Sequence, residues 1–384
     1  MKKFPQNLSD KLETRKQNNA LRALPLQSKG IDFSTNDYIG FSKSAAIFNA
    51  THQFLVDSNC IQNGATGSRL LSGNHGLYEQ TEHFISQFHD SESALVFNSG
   101  YDANVGFFSC VPQKGDFILY DELCHASIRD GIQLSNAKSY KFQHNDYEDL
   151  ERLILRCNSE HNLSAHIYIA TESVFSMDGD TPDFDTLISI SEKHNGYLVI
   201  DEAHALGVFG ESGAGYLQMA NFHNKVFARI ITFGKGLGCH GAAILGSTDL
   251  KNYLVNFARS FIYTTALSPH SVATVLIAYQ QLEKEKTPIE KLRTNINSFN
   301  QQKQLLGLTP LFVRSKSAIQ CAIIPGNEKV KNIASQLQQN NFDVKAILSP
   351  TVPEGQERLR ICLHSYNSEA QIEELLRLLS TFVF

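Results

Sequence analysis

Short apolar runs, each ending in polar residues and followed by a segment of helix length, recur along this chain. Most of them are continuously apolar, which is typical of strands in a sheet covered on both faces. Alternation with helices predicts an α/β domain with a mostly parallel sheet. The predicted strands are Ala94–Phe97, Asp116–Tyr120, Ala165–Thr171, Tyr197–Asp201, Arg229–Phe233 and Ala242–Gly246.

Polar and ionisable residues stand where these strands end. Ligands of open α/β sheets bind beyond the carboxyl ends of the strands, so the side chains that follow the strands are the candidates for chemistry. They lie in the segments Asn98–Tyr101, Asp121–Glu122, Glu172, Asp201–His204 and Gly234–Lys235. The sequence therefore predicts a functional site at one edge of the sheet.

The chain changes character after about residue 275. A charged helix is predicted over Gln280–Lys286, followed by the strands Ser317–Ile324 and Arg358–Leu363. Each of those strands precedes an amphipathic helix, and a Ser368-x-x-Gln371 capping box opens the last one. We predict an N-terminal helix and arm over residues 1–45 that belong to neither domain. A large α/β domain over 46–275 and a smaller C-terminal α+β domain over 276–384 would follow.

Charge and cysteine content restrict the class of protein. A net charge of -5 gives no electrostatic reason to expect nucleic acid or an anionic membrane as a partner. The N-terminal segment has no apolar run behind its lysines, and no stretch reaches the roughly 18 apolar residues that a membrane span needs. Seven scattered cysteines without a C-x-x-C pair predict neither disulfides nor a metal site. A cytoplasmic protein is the expectation.

The segment Ile230–Gly241 places a lysine between two glycines directly after a predicted strand. A partly desolvated amine at Lys235 could form a Schiff base, and the glycines would let a bulky ligand approach. A solvated lysine in a glycine-rich turn is the alternative for this segment alone. Its literal G-x-G-x-x-G does not open a helix within the first βαβ unit, which argues against a dinucleotide site.

An acidic residue ends the buried strand Tyr197–Asp201. A buried carboxylate needs a partner, and the protonated pyridine nitrogen of pyridoxal phosphate would be a suitable one. The string Asp201–His204 also spells a helicase motif. That interpretation fails because the chain has no G-x-x-x-x-G-K-[ST] phosphate loop.

Two further segments carry weaker signals. The Ser-Gly that follows the strand Ala94–Phe97 could offer main-chain amides at a helix start to a phosphate group. His125, after the strand Asp116–Tyr120, could stack on a cofactor ring and hydrogen-bond a substrate group. A turn glycine and a structural histidine are the plainer alternatives.

The motifs Asp201–His204, Thr232–Gly236 and Val174–Gly179 resemble, in order and spacing, those of the α-oxoamine synthase family. The resemblance extends from Phe33–Gly40 to Thr351–Arg360. It implies the fold-type I, aspartate aminotransferase-like architecture of pyridoxal 5'-phosphate-dependent transferases. It also implies a homodimer with a shared active site, acting on an amino acid and an acyl thioester.

Four segments are most similar to the branch that condenses L-alanine with a pimeloyl thioester, losing carbon dioxide, to give 8-amino-7-oxononanoate in biotin synthesis. They are Gly64–His75, His144–Asp146, Ser317–Gln320 and Thr351–Pro353. Branches that use glycine with acetyl-CoA, or serine with a long acyl-CoA, are the nearest alternatives. An aminotransferase and a cofactor-free partner subunit are further ones; the latter should lack a lysine at position 235.

The resemblance also implies roles for individual residues. Lys235 would carry the Schiff base, Asp201 would pair with the pyridine nitrogen, and His125 would stack on the ring. Further cofactor contacts would come from Gly100, Tyr101, Ser176, His204 and Thr232, and from Thr264 and Thr265 toward the neighbouring subunit. Asn36 and Arg360 would hold the amino-acid carboxylate, while Arg22 and Thr351 match acyl-substrate positions. Cys124, Cys239 and His240 depart from the residues common at these places.

Overall fold

The computed structural model describes residues 4–24, 29–160 and 165–384. Residues 1–3 and 25–28 of the predicted N-terminal segment lie outside the described residues. The helices are α1 (Gln6–Gln17), α2 (Ala45–Asp57), α3 (Gly76–Phe88), α4 (Gly100–Cys110), α5 (Ala126–Gln133), α6 (Tyr147–Glu160), α7 (Phe184–His194), α8 (Tyr216–Met219), α9 (Thr248–Phe257), α10 (Arg259–Ile262), α11 (Pro269–Lys284), α12 (Thr287–Leu305), α13 (Asn327–Gln339) and α14 (Glu369–Val383).

The strands fall into three sheets. They are β1 (Ile31–Asp32), β2 (Ser93–Phe97), β3 (Phe117–Asp121), β4 (Lys138–Phe142), β5 (Ile167–Glu172), β6 (Tyr197–Asp201), β7 (Ala228–Thr232), β8 (Ala242–Gly246), β9 (Ile319–Ile323), β10 (Phe342–Asp343), β11 (Lys345–Ile347) and β12 (Arg358–Cys362). All eight strands predicted from sequence are present, with ends shifted by up to two residues.

The larger of two compact units contains residues 36–176 and 181–290. Its seven-stranded sheet has the order β2-β8-β7-β6-β5-β3-β4, and β8 runs in the opposite direction to the other six strands. The predicted, mostly parallel α/β sheet is thus confirmed. The parallel strands β3, β5, β6 and β7 end at the same edge, and that edge carries the polar residues singled out by the sequence.

Alternate side chains of each central strand enter different cores on the two faces of this sheet. Ile118, Ala170 and Val199 belong to one buried cluster, which includes residues of α4, α5 and α9. Their strand neighbours Leu119 and Leu198 belong to the other, with residues of α6 and α7. Because both faces are covered, each strand is apolar throughout, as the sequence predicted.

The smaller unit contains the described residues up to 35, residues 177–180 and residues 291–384. Strands β11, β12 and β9 form an antiparallel sheet, and β1 pairs with β10 in parallel. Helix α14 begins at the predicted capping box, with Ser368 accepting from the Gln371 main chain. The apolar stripes predicted for α13 and α14 are buried.

This division differs from the boundaries expected from sequence. The N-terminal arm joins the smaller unit, because β1 pairs with β10 and the main-chain N–H of Cys362 donates to the Phe33 carbonyl. The expected boundary at residue 275 falls inside α11, which buries Val272, Leu276 and Tyr279 in the larger unit. Among the described residues, no helix is long and apolar enough to cross a bilayer.

Candidate active site

Lys235 stands three residues after β7, in the glycine-flanked turn predicted from sequence. Its Nζ lies 2.7 Å from Nε2 of His204. The ring of His204 is buried, and its Nδ1 lies 2.6 Å from the hydroxyl of Tyr38. That hydroxyl donates to Oδ1 of Asn36 at 3.2 Å. Hydrogen bonds thus link the Lys235 amine, His204, Tyr38 and Asn36 in series, and they fix the orientation of the His204 ring.

Asp201 ends β6 and is buried. Its Oδ1 accepts the main-chain N–H of Ala203 at 2.9 Å, and its Oδ2 accepts the side-chain amide of Asn104 at 2.8 Å. Two donors stabilise the ionised form of a carboxylate. An anion held in this way at the end of a buried strand can pair with a positively charged group of a ligand.

His125 occupies the N-cap position of α5. Its main-chain N–H donates to Glu172 at 2.6 Å, and its Nδ1 lies 2.7 Å from Oγ of Ser127. Although the residue is exposed, partial desolvation lowers the pKa of His125 below its ordinary value. Asp201 raises this pKa and Lys235 lowers it, so both charges act on the ring.

Glu172 ends β5 beside Asp201, because the two residues are paired in the parallel register of β5 and β6. Complete burial is the main cause that raises the pKa of Glu172 to about 8, and the charge of Asp201 raises it further. Lys235 and the main-chain N–H of His125 act in the opposite direction. Glu172 is therefore neutral at pH 7.

The turn predicted to bind an anion lies at the start of α4. Ser99 caps this helix by accepting the main-chain N–H of Asp102 at 3.0 Å, and the first N–H groups of any helix have no intrahelical partner. A Cβ on Gly100 would lie 2.5 Å from the Thr232 hydroxyl oxygen. Only glycine allows this approach, which leaves amides and a hydroxyl side by side for a phosphate group.

The larger unit contains four further residues that were predicted to contact the cofactor. Thr264 accepts from the side-chain amide of Asn98 at 3.1 Å, and the Thr265 carbonyl accepts from the same amide at 2.6 Å. Tyr101 is half exposed, and its hydroxyl donates to Asp130 at 2.7 Å. Ser176 lies partly buried after β5. Their predicted contacts with a cofactor stay predictions.

Three predicted substrate residues belong to the smaller unit. Arg22 donates to the Thr351 hydroxyl at 3.3 Å, so the structure brings these two exposed residues together. Arg360 lies in the middle of β12 and is buried, with an Nη1 donor 2.9 Å from the sulfur of Cys362. A buried guanidinium on a strand is held in a fixed orientation, which suits recognition of a carboxylate.

Sequence reasoning assigned no role to four residues that the structure places in this site. They are Tyr38, Asn104, Ser127 and Glu172. Three of them lie within two residues of, or inside, segments that were singled out, but nothing in the sequence indicated what they contact. Asn104 reaches Asp201 across 97 positions of the chain. Such partners follow only from the packing of α4 against the sheet.

Residues 28–379 match the family described as aminotransferase class I and II. The chain belongs to this family. Within it, a relative 38% identical over 93% of this chain is an 8-amino-7-oxononanoate synthase. The chain is therefore an α-oxoamine synthase, as the motifs predicted, and a pyridoxal-phosphate-dependent acyltransferase of the fold-type I class.

Its relatives include the 8-amino-7-oxononanoate synthase of Emericella nidulans. The two are 38% identical over 377 residues, which cover 93% of this chain and 90% of the relative. The crystal structure of the 8-amino-7-oxononanoate synthase from Francisella tularensis is 29% identical with a TM-score of 0.77, covering 92% of this chain and 98% of that one. The serine palmitoyltransferase of Sphingomonas wittichii is 27% identical with a TM-score of 0.87, covering 99% and 96%.

The residues on the sheet edge fit pyridoxal phosphate. The cofactor needs an amine for its aldehyde, an anion for its pyridine nitrogen and several donors for its phosphate. Lys235 would supply the amine, the buried carboxyl group of Asp201 would supply the anion, and the Gly100 turn with Thr232 would supply the donors. His204 is hydrogen-bonded to the same amine, and its contact with the phenolic oxygen of the cofactor stays a prediction from the family resemblance.

Proposed function

We propose that this enzyme joins L-alanine to a pimeloyl thioester, with release of the thiol and of carbon dioxide, to form 8-amino-7-oxononanoate for biotin synthesis. The observation that carries the proposal is the 38% identity, over 93% of this chain, to the Emericella nidulans protein of that name. The sequence segments around Gly64–His75 and Thr351–Pro353 support the same branch. The pimeloyl group could arrive on coenzyme A or on a carrier protein.

When bound, pyridoxal phosphate supplies an aldehyde that captures the amino-acid nitrogen and a ring that accepts electrons from Cα. Asp201, whose carboxyl oxygens accept hydrogen bonds from Asn104 and from the main-chain N–H of Ala203, would pair with the ring nitrogen and hold its proton. Lys235, once free as an amine, takes the Cα proton of alanine. His204 holds the amine in place through the 2.7 Å contact.

The acyl transfer then depends on His125 and on the substrate-binding arginine. His125 donates a hydrogen bond to the thioester carbonyl oxygen, whose negative charge grows as Cα attacks and the thiol leaves. Arg360 holds the alanine carboxylate until the β-keto acid loses carbon dioxide, and Asn36 assists it. Arg22 and Thr351, which contact each other, bind the acyl substrate.

We also propose that the active enzyme is a cytoplasmic homodimer. Thr264 and Thr265 would reach the phosphate bound by the neighbouring subunit, as the family resemblance implies. The exposed Tyr263 ring and the exposed Thr265 support an interface at this segment. All seven cysteines are free thiols, which agrees with a reducing compartment.

The direct test is incubation of the purified enzyme with pyridoxal phosphate, L-alanine and pimeloyl-CoA, followed by mass detection of 8-amino-7-oxononanoate. A matched reaction with [1-¹³C]alanine should release labelled carbon dioxide in equal amount. Parallel reactions with glycine and acetyl-CoA, and with serine and palmitoyl-CoA, define the alternatives. Product only from one of those pairs would reject the proposed substrates while leaving the acyltransferase assignment intact.

A second candidate is condensation of serine with a long acyl-CoA. The TM-score of 0.87 to the Sphingomonas wittichii serine palmitoyltransferase supports it, because that value exceeds the one for the Francisella tularensis structure. Sequence identity favours the first candidate instead. Both reactions need Lys235, Asp201 and His125, so variants of these residues cannot distinguish the two candidates. The parallel incubation with serine and palmitoyl-CoA does.

A further inference from the structure

Four side chains form a continuous series of hydrogen bonds from Asp201 to His125. Asn104, on α4, places its Nδ2 2.8 Å from Oδ2 of Asp201 and 3.0 Å from Oγ of Ser127. Ser127, in the first turn of α5, places its Oγ 2.7 Å from Nδ1 of His125. Asn104 and Ser127 are almost completely buried, so water does not compete for these bonds.

The direction of every hydrogen bond in this series follows from Asp201, the first residue of the series. An ionised carboxylate only accepts, so the amide nitrogen of Asn104 must face Asp201, and the flipped amide would place two acceptors in contact. The second proton on that nitrogen points to Oγ of Ser127, which accepts it. The hydroxyl proton of Ser127 is then directed to Nδ1 of His125.

A main-chain group supports the same assignment at the histidine. The N–H of Ser127 points to Nδ1 of His125 at 3.2 Å, and a main-chain N–H can only donate. Nδ1 therefore faces two donors and carries no proton. In a neutral imidazole the proton then lies on Nε2.

We propose that Asn104 and Ser127 are positioning residues that hold His125 as a neutral imidazole protonated on Nε2. In this form Nε2 can donate a hydrogen bond to the substrate, and it cannot act as a base because it already carries a proton. This inference deepens the proposed function and rests on it, because the hydrogen bond from His125 to the acyl carbonyl is part of that function. It assigns removal of the Cα proton to Lys235 and stabilisation of the carbonyl oxygen to His125.

Four charged groups act on the pKa of the His125 ring, two in each direction. Asp201 and Asp130 favour a protonated ring, whereas Lys235 and Arg129 disfavour it. Glu172, which accepts the His125 main-chain N–H, is held neutral by its burial and adds no full charge at pH 7. With desolvation as the largest influence, the pKa of His125 falls below its ordinary value. The neutral form is therefore the one that the surroundings favour near pH 7.

The test is ¹⁵N NMR of the enzyme labelled at histidine, with the His125 signals identified by their loss in a His125→Gln variant. In the cofactor-free wild type at pH 7, Nε2 should show the shift of a protonated nitrogen and Nδ1 that of an unprotonated acceptor. A proton on Nδ1, or on both nitrogens, would overturn the proposal. The measurement needs no substrate, so it succeeds or fails independently of the proposed reaction.

Substitutions within the hydrogen-bond series test the role of each residue separately. Ser127→Ala should raise the titration midpoint of His125 by about one pH unit, because a donor to the unprotonated nitrogen is lost. Ser127→Thr, which keeps the hydroxyl, should restore most of the wild-type midpoint. Ser191→Ala is a matched control, since this buried hydroxyl lies on α7, donates to the Gly196 carbonyl, and should leave His125 unchanged.

Asn104 is tested through its dependence on Ser127. Asn104→Ala frees the Ser127 hydroxyl to turn and should raise the midpoint by a smaller amount. If the residues act in series, the Asn104→Ala, Ser127→Ala double variant should shift it no further than Ser127→Ala alone. Additive shifts would contradict the proposed order of the hydrogen bonds. An unchanged midpoint in Ser127→Ala would remove Ser127 from the account.

Discussion

The amine of Lys235 and the buried imidazole of His204 are hydrogen-bonded, with 2.7 Å between Nζ and Nε2. Tyr38 and Asn36 continue this contact on the far side of the ring. The lysine that follows β7 is therefore held in one direction, on the same edge of the sheet as Asp201 and His125. The reaction requires all three groups to act on one ligand, and this arrangement allows it.

Lys235→Ala should abolish turnover, lowering kcat by at least about 10⁴-fold, since it removes both the covalent attachment and the base. The visible absorption of the lysine-bound cofactor should also disappear. Steady-state kinetics and absorption spectra check both. Lys225→Ala, which removes an exposed amine paired with Glu192, is the control and should leave both unchanged. A Lys235→Ala enzyme that stays coloured and active would contradict the assignment.

Asp201→Asn should lower kcat by about 10²- to 10³-fold while leaving the fold intact, because the neutral amide cannot hold a proton on the ring nitrogen. The new NH₂ group would also face the Asn104 amide nitrogen, so cofactor affinity should fall. Equilibrium dialysis and kinetics measure the two effects. Asp249→Asn, at an exposed position in α9, should change neither. Wild-type kcat in Asp201→Asn would refute the proposed ion pair.

Tyr38→Phe should lower kcat by roughly 10-fold without a large change in the KM for alanine. The hydroxyl lies 2.6 Å from His204, and its loss leaves a buried ring nitrogen without this partner, at a cost of about 1–3 kcal/mol. Because His204 orients Lys235, the pH dependence of the bound-cofactor spectrum should shift as well. A stable variant with an unshifted spectrum would show that Tyr38 has only a packing role.

Glu172 predicts a pH dependence of stability. Its folded-state pKa of about 8 lies above the value of 4.5 expected for an exposed glutamate, so the folded protein binds a proton that the unfolded chain releases between these values. The contribution of Glu172 to the free energy of unfolding is fully present below pH 4.5 and is lost as the pH rises through 8. Over that range the free energy of unfolding should fall by up to about 1.4 kcal/mol per pH unit.

The neutral variant Glu172→Gln isolates this contribution. It keeps an acceptor for the main-chain N–H of His125, and its free energy of unfolding should decline less steeply between pH 5 and 8 than that of the wild type. Urea titrations of the cofactor-free proteins at several pH values measure the difference. Parallel curves for the two proteins would show that Glu172 is ionised when folded.

Arg360→Lys should raise the KM for alanine at least about 10-fold, since a lysine cannot make the paired hydrogen bonds of a guanidinium to a carboxylate. The matched control is Arg358→Lys on the same strand. Arg358 forms a buried ion pair with Asp178, so its replacement should lower the melting temperature and leave KM unchanged. Equal KM values in Arg360→Lys and the wild type would exclude Arg360 from substrate binding.

The sequence was most informative where burial alone decides structure. The central strands were predictable because both of their faces are covered, which leaves uninterrupted apolar runs. Strand β4, Lys138–Phe142, gave no such signal, because it is an edge strand whose side chains are mostly exposed and include two lysines. The N-terminal arm was not assigned to the smaller unit, since its pairing with β10 joins residues about 300 positions apart.

For the site, the motifs predicted roles for Lys235, Asp201 and His125, which all follow strands of the large sheet. The residues that orient them were not predictable. Asn104 and Ser127 are ordinary helix residues in the sequence, and their importance arises only when α4 packs beside α5 and β6. Glu172 was noticed as polar, but its protonation depends on the neighbouring charge of Asp201.

Reduction of the cofactor-loaded enzyme with borohydride, followed by tryptic digestion and mass spectrometry, tests the central assignment most directly. Reduction makes the bond between cofactor and lysine permanent, and trypsin does not cut at the modified residue. The account predicts a pyridoxyl-phosphate mass on the peptide spanning residues 230–251, with the modification at Lys235. A modification at any other lysine, or none at all, would contradict it.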